Sequence, residues 1–508
     1  MGGRNRSSSW DDDPLEWFHQ KIQQVVGTRQ HFFPKSTRSQ GRDVTTNKLP
    51  TATPVARVLA LGLNSGTEVH DAVCALDPIS ICVTLPSKLV LQPSVENARG
   101  LRHVKSNKYF SGAEHMTLLK LVHEALFTLL KVERRFDPFF RPAFDALFQE
   151  PLARFIQVLI NLRRQDEGLQ LAEEKLLPGE AAFLDTIIAE MAAYMRDYYT
   201  PGTYERAGNT KTHGVVRGNF TVGRDLPGEF RKGVLSEPRT FPAWVRFAGP
   251  GPAAPPDIED VGVLSISIKL MGVPGPKLLE DEKFTQDFTG ITTPIFTTPD
   301  VKENAKLQVA SRKGLPLFYF INPFDSHLLD TLMQGLWART QTSPLETVYW
   351  SCVPYLLGEG RAMQYAVRPK SRIRSRVPRL PFRPSDNYLR EAMAGMLAQR
   401  DAEFDFLVQL QTDPHRMPIE NASVRWPQKL SPFVPVATLR IPRQKFDSPA
   451  QLAFAHNLSY NPWHSVPEHR PLGNQNRGRF KIYQELSRLR QTMNKTPHRE
   501  PTGDESFN

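Results

Sequence analysis

Residues suited to iron binding are concentrated near the C-terminus, between Ala455 and Arg479. This segment reads AHNLSYNPWHSVPEHRPLGNQNRGR and contains one tyrosine, three histidines and several arginines. Tyr460 matters most, because a deprotonated tyrosine is a hard oxygen ligand for Fe3+, including the iron of haem. A phenol ionises near pH ~10, so this role requires iron and nearby cations to lower its pKa strongly. Neighbouring arginines can supply those cations and can also bind haem propionates.

A second candidate group lies at Lys211 to Val222, which reads KTHGVVRGNFTV. His213 stands at the start of a predicted strand, and an imidazole with a pKa near ~6.5 can carry a proton from one peroxide oxygen to the other. Phe220 can pack on a flat macrocycle, and the glycines before it allow close backbone approach. Taken singly, such a His is more often a turn residue and such a Tyr a loop residue. Together the two stretches indicate the two faces of a haem.

The elements that must position these residues change character along the chain. From Glu114 the apolar residues recur at three- and four-residue steps, which predicts a helix that ends at Asp137-Pro138. Further helices are predicted at 151–164, 180–198, 386–400 and 479–490. After Tyr204 there are about eight short runs, several of which alternate apolar and polar residues, as in SISI at 265–268. These runs predict an antiparallel barrel and therefore an α+β fold.

Four regions follow from this pattern. Residues 1–110 are polar in places and poorly defined, 111–203 form a helical region, 204–492 carry the barrel and the candidate site, and 493–508 are predicted to be a disordered tail. Val55 to Leu91 contains apolar, β-branched runs to which no role is assigned. Neither a P-loop, a dinucleotide fingerprint nor a nucleophile elbow is found in the sequence.

Composition limits the class of protein. Of 508 residues, 40% are hydrophobic and 23% charged, as in ordinary globular proteins. The net charge of +11 is spread along the chain, which favours a solvated surface over nucleic-acid binding. Three cysteines without CxxC spacing argue against a disulfide framework or a structural zinc site. Together with an N-terminus that lacks a signal-peptide pattern, they indicate a cytoplasmic protein. No apolar run approaches the ~18 residues of a membrane span.

The two stretches, with three others in the same order, resemble the haem catalase superfamily. The spacing from His213 to Phe220 resembles the distal stretch of the family. WVRF at 244–247, TPIF at 293–296, LSY at 458–460 and RPLG at 470–473 resemble its V-R-F, T-P-V-F, F-S-Y and R-L-G motifs. The resemblance covers about Lys211 to Arg490, over half of the chain, and the SYNPWH and PEHRPLGNQNR segments are similar to a divergent, catalase-related branch that includes allene oxide synthases.

Several positions depart from the family pattern. The distal Asn of catalases corresponds to Thr292 here, and the apolar residue before the distal His corresponds to Thr212, as in the allene oxide synthase branch. The arginine three residues before that His is replaced by Thr210, which leaves Lys211 or Arg217 to pair with propionates. The arginine one turn before the proximal Tyr is replaced by His456, so support of the tyrosinate would be weaker or would come from Arg470.

The resemblance implies a catalase-like barrel with flanking helices and an N-terminal helical domain, holding haem b. It implies Tyr460 as the iron ligand and His213 as the acid–base group, with Thr212 and Thr292 near the distal oxygen. Arg246, Arg217, Arg470, His456 and Phe220 would contact the haem. The threonines favour an organic or fatty-acid hydroperoxide as substrate, which is rearranged or reduced. A low-activity hydrogen-peroxide catalase and a haem-binding or scaffold protein without turnover remain alternatives. Peripheral membrane contact and oligomer formation are open.

Overall fold

An antiparallel sheet closed into a barrel forms the centre of the protein in a computed structural model, which describes residues 118–249, 251, 253–260, 262–322 and 325–507. The strands are β1 (Thr212–Val222), β2 (Thr240–Ala248), β3 (Ser265–Met271), β4 (Thr285–Ile291), β5 (Tyr349–Trp350), β6 (Tyr355–Leu356), β7 (Ala362–Pro369), β8 (Ala402–Leu410) and β9 (Val434–Ile441). Their order is β5-β4-β3-β2-β1-β9-β8-β7-β6, and β5 also pairs with β7. That pairing closes eight strands and confirms the predicted antiparallel barrel.

The barrel interior explains the alternating sequence of the strands. On β1, Val216, Phe220 and Val222 enter the main apolar cluster, while Thr221 on the other face is exposed. The ring of Phe220 packs against Phe288 of β4 and Phe406 of β8, with centroids 6.1 and 5.1 Å away. Because successive side chains of a strand point to opposite faces, the residues between these core positions lie on the outer wall. The candidate site is on that outer wall.

Helices cover the barrel from several sides. They are α1 (Leu118–Phe144), α2 (Glu150–Leu162), α3 (Glu180–Tyr198), α4 (Val301–Arg312), α5 (Pro316–Ile321), α6 (Leu328–Gly335), α7 (Tyr388–Gln399), α8 (Pro449–Asn457) and α9 (Asn474–Asn494). A π-helical turn, Asp145–Gln149, joins α1 to α2. Ser448 caps α8 by accepting a hydrogen bond from the Gln451 amide, and Pro449 occupies its first turn. All described residues belong to one compact unit.

The predicted helix break at Asp137-Pro138 is wrong. Helix α1 continues through Pro138 and Pro142 to Phe144. The side chain of Asp137 is buried and accepts a hydrogen bond from the Thr340 amide, and the Thr340 hydroxyl donates to the Arg134 carbonyl at 2.6 Å. These tertiary contacts hold the chain in helical form where proline removes a helical hydrogen bond.

Several residues of 495–507, within the tail predicted over 493–508, contact the outer wall of the barrel. Glu505 accepts a hydrogen bond from the Trp244 indole at 2.9 Å, and the Phe507 ring lies 5.8 Å from that of Trp244. The predictions for residues 1–110, including the apolar runs within 55–91, lie outside the described residues. None of the described helices is long and apolar enough to span a bilayer.

Candidate functional site

His213 occupies an irregular position at the start of β1. The pairing of β1 with β2 shifts register between Thr212 and Gly214, so His213 falls within the irregularity. The residue is 1% exposed, and among the described residues neither ring nitrogen has a hydrogen-bond partner. Its Nδ1 lies 3.8 Å from Oδ1 of Asp257, which is too far for a hydrogen bond. A buried imidazole is therefore held without a polar partner.

The charges around His213 keep its imidazole neutral. Burial, followed by the positive charges of Lys211, Arg390 and Arg246, holds the pKa of His213 well below its usual value. Asp257 does not offset them, because it already pairs with Lys211 at 2.6 Å. Arg390 donates to the carbonyls of His213 and Thr212 at 3.1 and 2.7 Å. The neutral ring can accept a proton but holds it weakly.

Arg246 on β2 is bonded to Thr212, the residue before His213. Its guanidinium is buried and donates to the Thr212 hydroxyl at 2.7 Å and to the Asn209 carbonyl at 2.6 Å. The Thr212 oxygen is thereby used as an acceptor, and its own hydrogen remains available for donation. Thr292 is buried as well, and its hydroxyl accepts a hydrogen bond from the Leu264 amide at 2.9 Å.

Tyr460 lies against the outer wall at Trp244, which is two residues before Arg246 on β2. Its hydroxyl donates to the Trp244 carbonyl at 3.3 Å, and Nζ of Lys269 is 5.6 Å from its ring centre. Burial raises the pKa of Tyr460 well above its usual range, and Asp287 raises it further, while Arg246 and Arg206 act in the opposite direction. The side chain is therefore a neutral phenol in this structure, with two cations close enough to favour the phenolate.

A buried ionic cluster lies behind Tyr460 and consists of Lys269, Glu282, Asp287 and His464. Lys269 pairs with both carboxylates, with Asp287 at 2.8 Å, and Nδ1 of His464 is 2.9 Å from Asp287. Burial and Lys269 lower the pKa of His464, but its bonds to Asp281 and Asp287 and the charge of Glu282 raise it to about 9. Tyr460 and His464 also line a cavity of about 520 Å³.

The remaining predicted haem contacts have other partners. Phe220 faces the barrel interior. Arg217 lies over the Trp244 ring at 4.5 Å and donates to the carbonyls of Gly503 and Glu505. His456 pairs with Glu205 at 3.0 Å, and Arg470 with Glu174 at 2.6 Å. Their roles toward a haem stay predictions that this geometry does not support.

The structure adds residues that the sequence did not single out. Arg206 donates to the carbonyls of Ala455 and Leu458, just before Tyr460, and Arg490 to that of His456. Asp257 begins a short 3-10 turn, Asp257–Glu259. Only the fold brings it beside Lys211 and His213, so no spacing in the sequence could have identified it. Lys211 was the one available signal, since it precedes the candidate imidazole by two positions.

The donor set suits a haem in kind, but one contact opposes it. A buried imidazole without a partner and a phenol flanked by arginines are the groups that a Tyr-ligated haem requires. However, the Tyr460 oxygen is 3.3 Å from the main chain of β2. A flat ring needs about 3.5 Å on its wall-facing side alone. Tyr460 could therefore bind the iron of a haem lying between it and β2 only if its hydroxyl moved away from the Trp244 carbonyl.

Comparison with known proteins finds similarity to catalases of known structure. The chain is 15% identical to a fungal catalase, covering 68% of this chain and 69% of that one, with a TM-score of 0.48. Catalase A from Saccharomyces cerevisiae is 14% identical, with 68% of this chain and 72% of that one covered and a TM-score of 0.47. A bacterial catalase is 15% identical, with 68% and 70% of the two chains covered and a TM-score of 0.44. No protein-family model matches the chain, and no curated protein sequence matches it.

Proposed function

We propose that this protein is a haem-dependent enzyme that acts on organic hydroperoxides, with fatty-acid hydroperoxides as the substrate class. Tyr460 is the iron ligand, His213 is the acid–base group, and Thr212 and Thr292 lie beside the reacting oxygens. Arg246 and Arg206 favour the phenolate form of Tyr460. The hydroperoxide is rearranged or reduced.

The observation that carries the proposal is the unpaired state of His213. A buried polar group without a hydrogen bond costs about 1–3 kcal/mol, and both nitrogens of this ring have no partner among the described residues. A ligand that bonds to the imidazole would recover part of that cost. The surrounding packing does not explain why the ring is kept unpaired.

The proton chemistry follows from the charges around the ring. When bound, haem iron would supply the redox chemistry at the peroxide bond. Neutral His213 can accept the hydroperoxide proton at a ring nitrogen and return it to the other oxygen, which conserves protons. Lys211, Arg390 and Arg246 disfavour the imidazolium, so return of the proton is favourable. Thr212, held by Arg246 through its oxygen, can donate its hydrogen toward the substrate.

A second candidate function is a scaffold or binding protein without turnover. It is favoured by the contact between the Tyr460 hydroxyl and the Trp244 carbonyl, and by apolar packing around it. Val215, Trp244, Ala455 and Leu458 form one buried cluster at this place, with Phe454, Tyr460 and Phe507 packed against it. In this reading protein side chains permanently fill the space between α8 and the wall.

The absorption spectrum of the full-length protein, before and after haem reconstitution, separates the two functions. We expect a Soret band with high-spin ferric features in the wild type and their loss in Tyr460→Phe. Tyr483→Phe is the matched control, because Tyr483 lines the same cavity. His213→Gln should keep the spectrum and lose turnover of a fatty-acid hydroperoxide.

Three results would contradict the proposal in whole or in part. The absence of a Soret band after reconstitution would favour the scaffold. A wild-type spectrum in Tyr460→Phe would remove Tyr460 as the ligand. Rapid oxygen release from hydrogen peroxide, without activity on organic hydroperoxides, would replace the substrate class while keeping the cofactor.

A further inference from the structure

Helix α1 carries a stripe of exposed apolar side chains along one face. Leu129, Val132, Phe136 and Phe139 follow one another at three- and four-residue steps, and Phe139 is 66% exposed. The stripe continues through the π-helical turn and α2 with Leu147, Phe148, Phe155, Val158 and Leu162. Scattered exposed apolar residues are ordinary on protein surfaces, but a continuous row of this length is typical of an interaction surface.

A strongly basic loop contains two further exposed apolar residues. The segment 370–383, KSRIRSRVPRLPFR, has six basic residues and no acidic one. The guanidinium groups of Arg372, Arg376 and Arg383 form neither a hydrogen bond nor an ion pair with any part of the chain that the structure describes. Ile373 is 56% exposed and Phe382 is 84% exposed. Unpaired cations here alternate with apolar groups that face solvent.

The loop and helix α1 adjoin each other. Nη1 of Arg135, on α1, donates to the Phe382 carbonyl at 2.6 Å and to the Pro381 carbonyl at 3.3 Å. On α1, Arg135 is three residues after Val132 and four before Phe139, so the three side chains share one face and the basic loop borders the apolar stripe. We call the loop 370–383 and the exposed residues of α1 together the basic apolar face.

We propose that the basic apolar face binds the surface of an anionic phospholipid membrane. Lys and Arg clusters are attracted to anionic headgroups, and exposed Phe, Leu and Ile side chains enter the boundary between headgroups and acyl chains. A nucleic acid would satisfy the arginines but offers no layer for the aliphatic side chains of Leu129, Val132 and Ile373. A second copy of this chain carries the same cations and would repel them.

The proposal is tested by sedimentation of the full-length protein with phosphatidylcholine vesicles, with and without phosphatidylserine. We expect binding only with phosphatidylserine, weakened by salt. The triple variant Arg372→Gln, Arg376→Gln, Arg383→Gln should lower affinity at least about tenfold. The double variant Phe139→Ser, Phe382→Ser should weaken binding at every salt concentration, because it removes the apolar contribution.

Matched controls remove similar groups elsewhere in the chain. Lys313→Gln, Arg400→Gln, Arg416→Gln removes three other exposed cations, and Phe284→Ser removes a phenylalanine that is 61% exposed. Both should bind vesicles like the wild type. The proposal is overturned by an absence of binding to phosphatidylserine vesicles, or by equal losses in the controls. It is also overturned if the double phenylalanine variant changes the oligomeric state but not vesicle binding. Binding of single-stranded DNA, without binding of phosphatidylserine vesicles, would overturn it as well.

Discussion

At the scale of single residues, the most consequential charges lie behind Tyr460. Lys269 is fully buried and pairs with two carboxylates, and His464 completes the cluster. A buried cation without partners would be very costly, so each member depends on the others. The cluster also bears on the candidate site, because Asp287 is among the groups that raise the pKa of Tyr460.

The first prediction concerns the pH dependence of stability at His464. Its folded pKa of about 9 lies above the unfolded value near ~6.5. The folded state therefore binds the proton more tightly, and this contribution is fully present below about pH 6.5 and is lost as pH rises toward 9. Between about pH 6.5 and 9, we expect the free energy of unfolding to fall in both the wild type and His464→Gln. The fall in the wild type should be larger by up to about 3 kcal/mol.

Urea unfolding at a series of pH values provides the measurement. His498→Gln is the control, since His498 approaches the same carboxylate, Glu282, at 3.3 Å from the edge of the cluster. It should keep the wild-type pH dependence. If His464→Gln and the wild type lose stability in parallel, the proton is not held at His464.

Sequence alone could propose Tyr460 and His213 as candidates, because their residue types suggest chemistry and neighbouring motifs support them. It could not identify Asp257, Arg206 or Arg390. Asp257 lies in a 3-10 turn, Arg206 precedes β1, and Arg390 is on α7, so only the folded chain brings them together. The contact between Tyr460 and Trp244 is likewise a result of packing that no spacing encodes.

At the scale of elements, alternation of apolar and polar residues was sufficient to predict the barrel. Every second residue of a strand faces the barrel interior, as Val216, Phe220 and Val222 do on β1, and local sequence therefore carries the information. The course of α1 through Pro138 was not predictable in this way. There, contacts with Thr340, far along the chain, override the local preference of proline.

The second prediction tests how closely β1 is packed at the candidate site. A Cβ added at Gly214, beside His213, would lie 2.4 Å from the Phe446 ring and 3.1 Å from Met393. We expect Gly214→Ala to lower the free energy of unfolding by about 1–3 kcal/mol, because the core must shift to admit a methyl group. The measurement is chemical denaturation monitored by circular dichroism.

Gly395 within α7 is the matched control. Nothing lies within 4 Å of a Cβ added there. Alanine is a better helix former than glycine, so Gly395→Ala should raise stability by about 0.5–1 kcal/mol. Equal effects of the two substitutions would show that β1 has space at Gly214 that the structure does not show.

At the scale of the whole molecule, charge is less evenly distributed than the sequence suggested. The composition and the spread of Lys and Arg predicted an ordinary solvated surface. The loop 370–383 instead contains six basic residues and no acidic one, and the fold places it beside the apolar stripe of α1. Neither segment alone indicates a membrane surface. The proposal of a membrane-binding face depends on their adjacency, which is a property of the tertiary structure.

The third prediction concerns the packed C-terminal tail, which covers the outer wall where Trp244 meets Tyr460. The Phe507 ring lies 5.2 Å from that of Phe454 on α8, and Glu505 accepts the Trp244 indole hydrogen. Because Phe507 is partly buried against two aromatic rings, Phe507→Ala should cost about 1–2 kcal/mol of unfolding free energy. Ser506→Ala, at an exposed neighbouring position, should cost nothing measurable. If both variants match the wild type in urea unfolding, the tail does not stabilise the wall. In that case the packing that keeps Tyr460 against β2 comes from the rest of the cluster formed by Val215, Trp244, Ala455 and Leu458.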